Sequence, residues 1–207
     1  MKDTMLIQRW AGVTPDGIWG PNTARAVIAK ARIKRSSGGL YSAILQKVLE
    51  HEGGFVDHPR DPGGATNKGV TQAVYDAYRT RKKQRRQSVR HIAQREVEAI
   101  YRNEYWDRVS GDDLPDGVNY AVFDYAVNSG VHRASRHLQR IAGVRQDGII
   151  GPATLAAVDR LEPRDIIKRL CDERLGFMRS LRIWPTFGKG WTRRVRMVRR
   201  GALELAA

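Results

Sequence analysis

An all-α architecture is the fold class this sequence predicts, on three observations. Apolar residues recur at helical spacing, as in Leu40, Ile44, Leu45, Val48 and Leu49, which mark one buried helix face. Glycine and proline stand where such runs stop or start, as at Gly53-Gly54, Gly20-Pro21 and Gly151-Pro152. A helical-hairpin unit also occurs twice. The spacing places helices near 40–52, 71–82, 90–109, 116–129, 131–142, 152–159, 163–182 and 190–203.

The repeat runs from Ile7 to Val27 and again from Leu138 to Val158, with about 13 of 21 aligned positions identical. In each copy a helix ends at Gly12 or Gly143, and an Asp-Gly turn follows at Asp16-Gly17 or Asp147-Gly148. Gly20-Pro21 or Gly151-Pro152 then opens a second helix, with proline in its first turn. Lys34-Arg35-Ser36-Ser37-Gly38-Gly39 reads as a polar, flexible linker that sets the first copy apart. The expected organisation is a module over 1–34, a linker over 35–39, a central body over 40–130 and a helical region over 131–207 packed on that body. Trp10 and Trp19 of the first copy stand where the second has Ile141 and Ile150. An indole there either stacks on a ligand or builds the core of the small module.

The 207 residues carry a formal charge of +15, which calls for a polyanionic partner or setting. No apolar run reaches the roughly 18 residues of a membrane span, and the N-terminus lacks the apolar core of a signal peptide. Synthesis in the cytoplasm is expected. The single Cys171 excludes an internal disulfide and reads as filler in a helix. The five histidines show no zinc spacing, so neither metal nor cofactor is expected.

His51-Glu52-Gly53-Gly54-Phe55 is the most informative run. It puts Glu52 in the last turn of a helix, near the negative end of the dipole, which disfavours the ionised form. A carboxyl that holds its proton suits a general acid. The polar segment to Thr71 is long for a structureless connection, and such segments are usually functional. It offers Asp61, Thr66, Asn67 and Thr71, a set suited to glycoside hydrolysis, in which one acid protonates the leaving oxygen and an opposing group holds water.

Glu52-Gly53-Gly54-Phe55, Asp61-Pro62-Gly63-Gly64-Ala65-Thr66-Asn67-Lys68-Gly69-Val70-Thr71, Tyr105-Trp106 and Phe123-Asp124-Tyr125-Ala126-Val127-Asn128-Ser129-Gly130 resemble glycoside hydrolase family 108. The repeats, and Phe187-Gly188-Lys189-Gly190-Trp191-Thr192-Arg193-Arg194-Val195, resemble peptidoglycan-binding modules. This resemblance implies a lysozyme-like catalytic body joined to a small helical N-terminal peptidoglycan-binding module. It implies a monomeric muramidase of the phage-endolysin kind, cleaving the β-1,4 bond between N-acetylmuramic acid and N-acetylglucosamine, with Glu52 as the acid. The second group is open: Asp61 is either a catalytic carboxylate or a turn former. Thr71 and Asn67 either position water and substrate or cap the next helix. Asn128 either lines the sugar groove or satisfies buried backbone. Gly54, Phe55 and Tyr125 are further candidate substrate contacts, as are Asp16 and Trp19 in the first module. Inversion of configuration is the favoured stereochemistry.

Peptidoglycan is thus the expected partner, and anionic outer-membrane lipid or lipopolysaccharide accounts for the charge. Nucleic acid is not expected, because the run Arg79 to Arg86 has neither a recognition helix nor stacking aromatics. Access to the periplasmic wall would follow holin-type release. Two rivals are a lytic transglycosylase using the same acid and a non-catalytic wall-binding or DNA-binding protein.

Overall fold

The computed structural model describes residues 2–20, 22, 23, 26, 39–57 and 64–206. The chain forms two compact units, residues 1–42 and 43–207. The described elements are α1 (Lys2–Ala11), α2 (Gly39–Leu49), a hairpin of β1 (Thr66–Asn67) and β2 (Val70–Thr71), α3 (Gln72–Arg81) and α4 (Gln94–Tyr101). They continue with α5 (Val118–Ser129), α6 (Val131–Ala142), α7 (Pro152–Val158), α8 (Pro163–Arg179) and α9 (Trp184–Leu205). The architecture is all-α, as predicted, with one small sheet.

Helix α5 is the axis of the second unit. Its residues Val118 through Ala126 are all buried, so it is enclosed around its whole circumference rather than along one stripe. Helices α6, α8 and α9 pack around it. One charge, Asp124, sits in this apolar run, completely buried.

Three boundaries differ from expectation. Helix α2 ends at Leu49, and Glu52 follows in a turn whose amide donates to the Leu49 carbonyl at 3.1 Å. The Gly53-Gly54 pair therefore acts beyond the helix end. The predicted helix over 90–109 divides into a 3-10 turn (Val89–His91), α4, a π-helical turn (Arg102–Trp106) and a second 3-10 turn (Asp107–Val109). Ahead of α4, Glu96 accepts from the Ala93 amide at 3.0 Å, which starts the helix afresh. Finally, α9 begins at Trp184 rather than near 190, with Pro185 in its first turn. Gly188 is tolerated inside it because a Cβ there would come within 2.7 Å of the Trp184 ring.

The hairpin was not foreseen. Lys68 and Gly69 both have positive φ, 50° and 73°, the combination a tight two-residue turn requires. Thr66 pairs with Thr71 and Asn67 with Val70. Val56 adds a bridge to Thr66 through two 2.8 Å hydrogen bonds.

The repeats share one internal lattice. In the second copy Gln139 Nε2 donates to Asp147 Oδ1 at 2.7 Å, to the Ile149 carbonyl at 3.0 Å and to Thr154 Oγ1 at 3.3 Å, while its Oε1 accepts from Gly148 N at 2.8 Å. In the first copy Gln8 makes the same four contacts, to Asp16, Ile18, Thr23 and Gly17, at 2.6, 2.9, 3.0 and 2.9 Å. Each glutamine is a buried hub that replaces water for the turn around it.

Candidate active site

Glu52 is brought to its place by three pieces of chain. Helix α2 ends just before it. The Lys68-Gly69 turn lies against it: a Cβ on Gly69 would approach Glu52 Oε2 to 3.1 Å and would collide with the Tyr101 hydroxyl. Only glycine fits, by its φ as well as by its size. Tyr101 holds the turn in turn, donating to the Lys68 carbonyl at 2.9 Å. The third piece is α9, whose Arg194 donates from Nη1 to Glu52 Oε1 at 2.8 Å. The Glu52 side chain remains 21% exposed, so solvent and ligand can reach it.

Arg194 is itself fixed. Its Nη2 donates to Asp124 Oδ1 at 2.8 Å and its Nε to Oδ2 at 3.2 Å, the two-pronged geometry that suits a guanidinium to a carboxylate. Asp124 also accepts from Arg174 Nη1 at 2.6 Å. Burial opposes the charge of Asp124, but the two guanidiniums outweigh it and hold the carboxyl below its ordinary range. Two cations and two carboxylates thus form a chain from the core out to Glu52.

Tyr105, placed by the π-helical turn, feels the same carboxylate. Burial and then the charge of Glu52 push its phenol above the ordinary value. A π-turn inside a helix often marks a functional position. Tyr105 also lines a 480 Å3 cleft with Val74, Ala77, Arg81, Glu104 and Val131 among its walls. Trp106, the next residue, is fully buried and meets Phe123 edge-on at 5.3 Å.

Among the other expected site residues, Gly54 is exposed with open space around it. The Phe55 ring lies under Arg90, 4.3 Å from the guanidinium carbon. Asn67 directs its amide to the carbonyls of Val89 and Arg90 at 3.2 and 3.1 Å, which ties the hairpin to the 3-10 turn. Thr71 caps α3, accepting from Val74 N at 3.3 Å. Tyr125 is buried; its hydroxyl meets His137 Nδ1 at 3.2 Å, and Arg174 lies 5.3 Å from its ring. Asn128 accepts from Ser129 Oγ at 3.0 Å. Asp16 accepts from Ile18 N and then from Gln8, which hold its carboxyl below the usual range. Trp19 is 55% exposed, whereas its counterpart Ile150 is buried. Asp61 lies outside the described residues.

The Lys68-Gly69 turn of the hairpin thus meets Glu52, whereas Tyr125 is buried against His137. Sequence reasoning missed Arg194, Asp124 and Gly69. Asp124 had a readable signal, a lone charge in an apolar helix, which is rare unless paired. No group of three or more metal-ligating side chains occurs among the described residues.

The glycosyl hydrolase 108 family model matches residues 45–130, and a predicted peptidoglycan domain matches residues 133–196. The solved structure of SagA from Brucella abortus is similar, at 46% sequence identity and a TM-score of 0.71, over 80% of this chain and 95% of that one. Comparison with curated proteins gives no match. The chain belongs to glycosyl hydrolase family 108, and its fold is lysozyme-like with a helical peptidoglycan-binding part. It is a glycoside hydrolase acting on peptidoglycan.

Proposed function

We propose that the chain is an N-acetylmuramidase that cleaves the β-1,4 bond between N-acetylmuramic acid and N-acetylglucosamine, with Glu52 as general acid. The observation that carries this reading is the accessible Glu52 carboxyl held by a guanidinium anchored in the core. Arg194 occupies Oε1, and no described donor bonds Oε2. Oε2 therefore carries the proton to the glycosidic oxygen, and the carboxylate left behind is stabilised by Arg194. Water then completes hydrolysis at the anomeric carbon, directed by a second group for which Asp61 is the carboxylate candidate. Thr71, whose hydroxyl oxygen also caps α3, is the group assigned to orient that water.

In this reading the first unit is a wall-binding module acting through exposed Trp19, and the charge of +15 favours anionic outer-membrane lipid or lipopolysaccharide on the way to the wall. The enzyme would serve as an endolysin released to the periplasm, working as a monomer. The test is Glu52→Gln, which keeps shape and removes the transferable proton. It should abolish turbidity reduction of purified peptidoglycan while pelleting with the wall as the parent does. A variant that still clears the suspension would remove Glu52 from the mechanism.

A further inference from the structure

Helix α9 carries more than Arg194 toward Glu52. Phe187 lies seven residues earlier, which at about 100° per residue returns it to within about 20° of Arg194 around the helix and about 10 Å along it. Trp191 stands between them. The two rings are stacked, with centroids 5.8 Å apart and planes 26° from parallel. Trp184 leans on Trp191 at 6.1 Å.

Core packing accounts for Trp191, half-buried in line with Gly188 and Val195, but not for Phe187. The buried residues of α9 are Gly188, Val195, Val198 and Ala202, and Phe187 is 51% exposed. Trp184, pinned over Gly188, props the pair from below. The opposite flank is a 630 Å3 groove whose lining includes Lys189, Arg193 and Arg196. None of these three cations has an ion-pair partner among the described residues. An exposed aromatic ring on the side of the helix that carries Arg194 to Glu52 matches one ligand chemistry well: the flat face of a sugar.

We infer that the Phe187–Trp191 face is a saccharide subsite, an aromatic platform that receives a pyranose ring of the glycan strand as it leaves Glu52. The flat, apolar face of the sugar lies on the exposed Phe187 ring, which Trp191 backs. The matched peptidoglycan region then supplies part of the cleavage groove itself. The place of this subsite along the glycan path rests on Glu52 being the acid; the platform does not.

The test uses the full chain carrying Glu52→Gln, so that ligand is not consumed, and a β-1,4-linked tetramer of N-acetylglucosamine followed by calorimetric titration. Phe187→Ala should weaken binding roughly tenfold, and Phe187→Tyr should restore it, with both melting as the parent does. With Glu52 present, Phe187→Ala should raise KM on soluble peptidoglycan fragments and leave kcat unchanged. Unaltered tetramer affinity in Phe187→Ala would overturn the subsite. So would a loss seen only with phosphatidylglycerol vesicles, which would make the ridge a lipid contact, or a loss confined to kcat. If Glu52→Gln remains active while Phe187→Ala loses the tetramer, the platform stands and the assignment of the acid fails.

Discussion

Replacing Arg194 by Met removes the guanidinium that joins Asp124 to Glu52 and keeps the methylene stem. Arg194 is 12% exposed and Asp124 fully buried, so the loss resembles the breaking of a buried ion pair, about 3–5 kcal/mol. Arg174 stays on Asp124 at 2.6 Å, which puts the cost near the lower end, about 3 kcal/mol. For a unit of this size that lowers Tm by roughly 6–12 °C. Glu52 also loses a charge-assisted hydrogen bond of about 1.5–3 kcal/mol. If that bond strengthens as the proton leaves, the loss is roughly 10- to 100-fold in kcat. Arg194→Lys should recover part of the Tm but little of the rate, because one ammonium cannot span both carboxylates. Scanning calorimetry and digestion of labelled peptidoglycan read the two effects. An Arg194→Met enzyme with parental melting and parental rate would refute the idea that the chain of charges both holds the fold and places the acid.

Other positions give independent expectations. Gly69→Ala forces a Cβ into the Tyr101 hydroxyl and toward Glu52 at φ +73°, so activity on peptidoglycan should fall further than the about 1–2 kcal/mol of backbone strain would suggest; an active variant with parental Tm would contradict the fit. Gln139→Leu strands the buried partners Gly148 N and Thr154 Oγ1 and should cost about 3 kcal/mol by denaturant unfolding. His137 is pushed down from 6.5 to about 4, by burial first and then by Arg140, Arg133 and Arg136. Below pH 6.5 the unfolded chain binds a proton that the folded chain resists, so stability should decline as pH falls from 6.5 toward 4. His137→Gln should flatten that part of the Tm–pH curve; an unchanged slope would assign the decline to other groups.

The elements legible in the sequence were those with strong local periodicity. The helix over 131–142 and the two Gln-centred repeats are locally coded, since hub, turn and second helix lie within about 21 residues. The hairpin at Thr66–Thr71 is too short for alternation to register, and its turn uses Lys-Gly rather than the stronger Asn-Gly signal. The α9 boundary was misplaced because glycine counts as a breaker in sequence, whereas Gly188 is required by the Trp184 ring. Glu52 was visible through its place before Gly53-Gly54. Its partner Arg194 was not, because 142 residues separate them and one arginine in a basic run looks like its neighbours. Asn67 and Thr71 stood out as polar residues, but their hydrogen bonds run to backbone that only the folded chain brings near.

Mass spectrometry of purified peptidoglycan digested by the wild-type chain and by Glu52→Gln tests the central claim most directly. The account predicts wild-type fragments ending in reducing N-acetylmuramic acid, each carrying one added water, and no fragments from Glu52→Gln. Fragments lacking that water and ending in anhydro-sugar, reducing ends on N-acetylglucosamine, or an unchanged digest from Glu52→Gln would each contradict it.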